Sequence, residues 1–342
     1  MFLTSASFIL AFACTPVLTH FLYRYRLGKN IRDDLSKTPV FAKLHAHKQG
    51  TPTMGGVLIW GTTAFLAGLF ALLPLIMPNI VPPSLSFLSR SETLLPLGAL
   101  VLAALVGLAD DFLNIRRIGE NGGGMKMMER LGLFTIIALI AAYWFTVKLQ
   151  WTIIDIPFYG NVEIGWWTFP IFVFVIVATS FSVNETDGLD GLAGGVLLAS
   201  FAAFGAIAYI QGHYDLATFC AVIAGSLLAF LWFNIHPARF YMGDTGSMSL
   251  GVTLGVVAML TNTVWLLPII GSILVAESVS VIIQITSKKL RKGKKVFIST
   301  PIHHHFEAIG WQEPKIVMRF WIISAVSAVL GIVLFLIERA QF

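Results

Sequence analysis

The stretch Asn184-Glu185-Thr186-Asp187-Gly188-Leu189-Asp190-Gly191 sits between two long apolar runs. Ionised carboxylates are costly in hydrocarbon, and inside a membrane segment they mark function by default. Asp187 and Asp190 are three residues apart, so on a helical turn they share a face. The interleaved glycines remove side-chain bulk and let a ligand approach the backbone. Taken alone, a short acidic loop between two spans explains the stretch equally well.

Other polar groups recur along the chain. Asp110-Asp111 closes another apolar run. Adjacent carboxylates at a helix end repel unless a cation intervenes, which suits a general base or a metal site. Two solvated acids at a membrane edge are the plain alternative. Gly243-Asp244-Thr245-Gly246-Ser247 offers a carboxylate, two hydroxyls and a tight backbone. That suits Mg²⁺, which takes one or two carboxylates together with phosphates and water, although a helix N-cap also explains Asp244 or Thr245. His303-His304-His305 lacks the i, i+4 spacing and nearby cysteine of a zinc site, which leaves phosphate or sugar contact. Lys48, before the Gly/Thr-rich segment Gly50 to Gly56, suits an anion at a helix start or serves as a charge anchor. Together these groups suggest an Mg²⁺-assisted reaction on a phosphate compound at a membrane surface.

The elements that must carry them are membrane helices. The chain has 342 residues, 56% hydrophobic and only 12% charged, with mean hydropathy +0.80. Soluble domains carry roughly twice that charged fraction. Ten apolar runs are long enough for spans: 2–23, 55–77, 94–112, 131–147, 166–183, 193–211, 216–235, 247–262, 265–286 and 317–337. Twenty of the 23 basic residues fall in alternate loops. The positive-inside rule puts those loops in the cytoplasm and both termini outside. Every polar group named above then lies on the cytoplasmic side. On the outer side, residues 148–165 alternate and turn at Tyr159-Gly160-Asn161, which predicts a small hairpin. Cys14 and Cys220 lie in apolar runs and read as buried small hydrophobes, without a disulfide or thiolate metal site.

With these motifs in hand, the chain resembles the phospho-N-acetylmuramoyl-pentapeptide transferase (MraY) family. That family belongs to the polyprenyl-phosphate N-acetylhexosamine-1-phosphate transferase superfamily. Asp110-Asp111 and Asp187-Gly-Leu-Asp-Gly191 are superfamily-wide. The Gly50-Thr-Pro-Thr-Met-Gly-Gly56 and His303-His-His-Phe-Glu307 stretches point to this family rather than to relatives using UDP-GlcNAc. The resemblance implies an all-α polytopic membrane protein, one integral transferase domain over 1–342. It would have ten transmembrane helices, a cytoplasmic catalytic cleft, a small extracytoplasmic hairpin and a homodimeric state in the membrane. Its partners would be UDP-MurNAc-pentapeptide, undecaprenyl phosphate and membrane lipid, with no nucleic acid. The products would be lipid I and UMP in peptidoglycan biosynthesis, and Mg²⁺ would be required. By the same resemblance Asp244 would hold Mg²⁺, Asp110 would deprotonate the lipid phosphate and Asp111 would position it. Lys48, Thr53, Asn184, Asp187, Asn234, Tyr241 and Gln284 would line the substrate region. Asp190 would support the polar cluster, and His303, His304 and His305 would contact phosphates or sugar.

The chain departs from the family pattern at four positions. Asn114 and Arg130 stand where the family has lysines, Phe181 replaces Asn, and Glu185 replaces Leu. Arg and Lys differ in geometry and hydration. Fewer cations and an added carboxylate predict a more acidic site. The rival readings are a related enzyme using UDP-GlcNAc and, more remotely, a non-catalytic transporter.

Overall fold

The computed structural model describes residues 2–28, 50–79, 82, 85–119 and 123–341. Helices dominate: α1 (Phe2–Arg24), α2 (Gly56–Ile76), α3 (Leu94–Ile115), α4 (Met127–Tyr143), α5 (Thr168–Thr186), α6 (Leu192–Gln211), α7 (Tyr214–Asn234), α8 (Asp244–Leu260), α9 (Leu267–Ile270), α10 (Ser272–Leu290), α11 (Ile302–Ala308) and α12 (Glu313–Arg339). Among the described residues, eight helical segments are long and apolar enough to cross a membrane. A ninth span follows if the segment Val264–Ile270 and α10, bent by 82° at Gly271, count as one broken helix. The chain is therefore a mostly helical, multi-pass membrane protein.

Of the ten expected spans, the 247–262 run is the one that does not meet this measure among the described residues. It forms α8, only 17 residues long, or about 26 Å at 1.5 Å per residue. A bilayer core is about 30 Å thick. Every α8 residue from Thr245 to Leu260 is buried, and α3 and α5 pack along it most extensively. Because protein rather than lipid surrounds it, α8 tolerates Gly, Ser and Thr. Its Ser247, Ser249 and Thr253 hydroxyls donate to carbonyls one turn back, at 3.0, 2.6 and 2.7 Å.

The predicted hairpin is present. Strands β1 (Ile153–Ile156) and β2 (Gly160–Glu163) pair antiparallel, with Asp155 opposite Asn161. Three contacts fix it to helix ends. The Asp155 N–H donates to Asn262 Oδ1 at 3.1 Å, and Asn262 Nδ2 donates to Asn161 Oδ1 at 2.9 Å. The Phe158 N–H donates to Glu338 Oε1 at 3.0 Å, at the far end of α12. The hairpin thus lies opposite the face formed by the Asp110, Asp187 and Asp244 loops.

One expectation about cysteine fails. Cys220 is buried, but Cys14 is exposed. Helix α1 buries only a narrow stripe, Leu3, Ser7, Ala11, Thr15 and Leu22, and Cys14 falls outside it.

Candidate active site

The site is assembled at the N-terminus of α8. Gly243 precedes it with φ +74°, and an added Cβ would lie 2.5 Å from Asp111 Oδ2 and 2.6 Å from Thr53 Oγ1. Only glycine fits there. The first N–H groups of a helix lack intrahelical partners. Here those of Asp244 and Thr245 donate to the Asp111 carboxylate at 3.2 and 3.1 Å. Asp111 therefore anchors a helix end from a neighbouring helix, α3.

Asp110, one residue earlier, faces a different group. Its Oδ1 accepts the Met125 N–H, and its Oδ2 lies 3.6 Å from Arg130 Nη1. The same Arg130 nitrogen donates to Asp244 Oδ2 at 2.9 Å. Asp244 Oδ1 accepts Asn184 Nδ2 at 2.9 Å, and Asn184 also reaches Ser247 Oγ at 3.1 Å. Four helices, α3, α4, α5 and α8, thus bring Asp110, Asp111, Asn184, Asp244 and Arg130 into one contact group. Two of its carboxylates share a single guanidinium.

Asp190 and Asn234 belong to a second group. Asp190 Oδ2 meets His236 Nδ1 at 3.0 Å and accepts the Ala238 N–H at 3.1 Å. Its own N–H donates to Glu313 Oε1 at 2.6 Å. Asn234 Oδ1 accepts the Gly191 N–H at 3.0 Å, and its Nδ2 donates to the Phe240 carbonyl at 2.8 Å. Asn234 thereby ties the start of α6 to the strap that leads into α8.

The histidines form a third group on α11. His303 is buried, with Nδ1 3.0 Å from Glu277 Oε2. His304 Nδ1 lies 2.7 Å from Glu307 Oε2, and His305 Nδ1 accepts the Ile298 N–H at 3.2 Å. The imidazole of His303 abuts Gly188, between Asp187 and Asp190. Asp187 caps the C-terminus of α5.

The remaining expected residues are held close by. Gln284 is buried, and its amide accepts the Val296 and Phe297 N–H groups and donates to the Phe297 carbonyl. It pins the chain after α10. Tyr241 lies in the strap, its N–H donating to the Pro52 carbonyl at 2.8 Å. The Thr53 side chain is buried against Gly243. Lys48 lies outside the described residues.

The departures take distinct places. Arg130 joins the two carboxylates, so that position keeps its cation. Asn114 sits under the turn at Gly123 and Gly124 that delivers the Met125 N–H. Glu185 lies beside Ser278 of α10, near the Glu277–His303 pair. Phe181 packs against the apolar core.

Two donor sets suit a cation. Asp110 and Asp244 offer oxygen only, which fits a hard ion such as Mg²⁺. Asp190, His236 and Glu313 each place a ligand atom within 4.8 Å of the others. That set includes an imidazole nitrogen and suits a transition ion better. Sequence reading passed over Glu277 and Glu313 and gave His236 no role. For Glu277 a signal existed, since it is the one carboxylate of α10. For Glu313 and His236 there was none, because their partners are distant in the chain.

A buried helix whose N-terminus is capped by a carboxylate of a neighbouring helix, within a multi-pass helical body, fits a membrane glycosyl transferase. Residues 93–262 match glycosyl transferase family 4. More narrowly, residues 48–59 match the phospho-N-acetylmuramoyl-pentapeptide-transferase signature 1. The phospho-N-acetylmuramoyl-pentapeptide-transferase of Chloroflexus aggregans is 38% identical, over 98% of this chain and 89% of that protein. Those of Clostridium novyi and Anoxybacillus flavithermus are 37% and 36% identical, over 95% and 97% of this chain and 93% and 96% of theirs. The chain belongs to the phospho-N-acetylmuramoyl-pentapeptide transferase family.

Proposed function

We propose that this enzyme transfers phospho-MurNAc-pentapeptide from UDP-MurNAc-pentapeptide to undecaprenyl phosphate, giving lipid I and UMP. The observation that carries the reading is the Asp110–Arg130–Asp244 bridge at the N-terminus of α8. Both reactants are anionic, so the reaction needs charge neutralisation and alignment above all. A lipid phosphate oxygen attacks the β-phosphorus of the donor, and UMP leaves. Asp110 takes the proton from the lipid phosphate. Asp111 fixes the α8 N-terminus, so that Asp244 is held in place. Asp244 would hold Mg²⁺, which would supply Lewis-acid charge neutralisation for the transfer. Arg130 offers a second cation, and Asn184 orients the Asp244 carboxylate. Lys48, Thr53, Asp187, Tyr241 and Gln284 serve the nucleotide side, and His304 and His305 the phosphates or sugar. Asp190 and Asn234 hold the supporting loops. The catalytic cleft opens to the cytoplasm, both termini lie outside, α8 counts as a tenth span enclosed by the others, and the protein works as a homodimer.

The deciding experiment is UMP release from purified enzyme with undecaprenyl phosphate, Mg²⁺ and each of several UDP-sugars. Turnover with UDP-MurNAc-pentapeptide is expected. Turnover with UDP-GlcNAc instead moves the protein to the other branch of the superfamily, and release with neither rejects the transferase reading.

A further inference from the structure

Glu277 lies on α10 among Ile, Leu, Val, Ala and Ser, and it is 0% exposed. His303 is equally enclosed, at 0%. Glu277 Oε2 lies 3.0 Å from His303 Nδ1, and the His303 backbone N–H points at the same oxygen from 3.5 Å. Each partner leaves one polar atom over. Glu277 Oε1 and His303 Nε2 are buried and have no hydrogen-bond partner among the described residues.

Burying a carboxylate and leaving polar atoms unmatched is costly. A pin that merely held α11 in place would need one acceptor oxygen and no orphans. The unmatched Nε2 also has a direction. A Cβ added to Gly188 would fall 2.3 Å from it, so this edge of the ring rests on the turn joining Asp187 to Asp190. A carboxylate that accepts the Nδ1 proton fixes the imidazole tautomer and leaves Nε2 as a lone-pair acceptor.

We propose that Glu277 is a positioning residue for the transfer. Its carboxylate holds the His303 ring against Gly188, and the ring in turn sets the Asp187–Gly188 turn at which the N-acetylated nucleotide-sugar donor docks. This rests on the functional reading above, in which the donor docks at that turn. Glu277→Gln keeps the volume of the side chain but replaces a pure acceptor by an amide that also donates. The amide no longer holds the proton on Nδ1, so the imidazole can carry it on Nε2, where the added hydrogen presses on the Gly188 turn.

The test compares E277Q, E277D and H303Q with the parent enzyme in detergent micelles. It uses UMP release, melting temperature and ¹⁵N-histidine NMR, with the His303 signal among the eight histidines identified by its loss in H303Q. E277Q is expected to lose about a hundredfold in kcat/KM for the donor, with an unchanged melting temperature and the His303 proton moved from Nδ1 to Nε2. E277D, which keeps the charge, is expected to recover to within roughly tenfold of the parent. The double variant E277Q/H303Q is expected to be no slower than H303Q alone. Parent-like turnover by E277Q overturns the proposal, as do an unmoved His303 proton, multiplying losses in the double variant, or equal losses in E277Q and E277D that track their melting temperatures. All comparisons are ratios to the parent on whichever UDP-sugar it turns over. A wrong donor would therefore reject the functional reading and leave the Glu277 result intact.

Discussion

Arg130 is the residue on which the two demands of the site conflict. Its guanidinium neutralises Asp110 and Asp244, yet it occupies one oxygen of the carboxylate proposed above to hold Mg²⁺. Arg130→Ala is expected to lower the Mg²⁺ concentration needed for half-maximal UMP release. It is also expected to cut kcat by about a hundredfold, because a cation beside the reacting phosphates is lost. Asp244→Ala is expected to abolish release at any Mg²⁺ concentration while the melting temperature stays near that of the parent. A titration of rate against Mg²⁺ for the three proteins checks both outcomes. The pairing also revises a reading made from residues alone. Arg130 is a departure from the family's lysine, yet it lies 114 positions from Asp244 in the chain and meets it directly, so the site keeps a cation there. No local pattern reports such a contact. Asp110-Asp111 shows the same limit. The adjacent acids were visible, whereas their division into one that faces Arg130 and one that caps α8 depends on the helix that arrives beside them.

Among the elements, the strap 235–243 holds the end of α7, the start of α6 and the start of α8 in register. Asn234 is its knot, with both amide atoms bound to backbone groups. Asn234→Ala leaves a buried N–H and a buried carbonyl unmatched, at roughly 1–3 kcal/mol each. A clear fall in melting temperature is expected, together with lower activity even at saturating donor. The hairpin on the opposite face answers to pH. Burial raises the Asp155 carboxyl above its ordinary 3.8, while hydrogen bonds from Trp265 and with Glu338 hold it down. A raised native value means that the protonated form stabilises the fold. That contribution is complete below pH 3.8 and is lost as pH rises through the native value. Asp155→Asn keeps an acceptor for Trp265 Nε1, 3.3 Å away. It is expected to match or exceed the parent in melting temperature at neutral pH and to flatten the dependence on pH. Elements were legible wherever lipid enforces a long apolar run. They were not where protein takes the place of lipid: α8 is short for that reason, and the bend at Gly271 gave too weak a signal to separate α9 from α10.

At the scale of the whole molecule, the distribution of charge fixes a testable orientation. A cysteine placed at Lys292 is expected to react with a membrane-impermeant maleimide in inside-out vesicles, and one at Tyr159 only in right-side-out vesicles. The experiment needs a background without Cys14, which is exposed on α1. The reverse labelling pattern would overturn the assignment of the site to the cytoplasm.

The enclosure of α8 has a consequence for how such an enzyme can change over time. A helix gripped along its whole length cannot tilt or slide unless the interior opens, so Asp244 is a fixed datum against which everything else is measured. The Asp187–Asp190 turn, the chain pinned by Gln284 and the short helix carrying the histidines are joined to the body by side-chain clasps. A lineage can therefore alter these clasps while keeping the place of Asp244, and the two need not evolve in step.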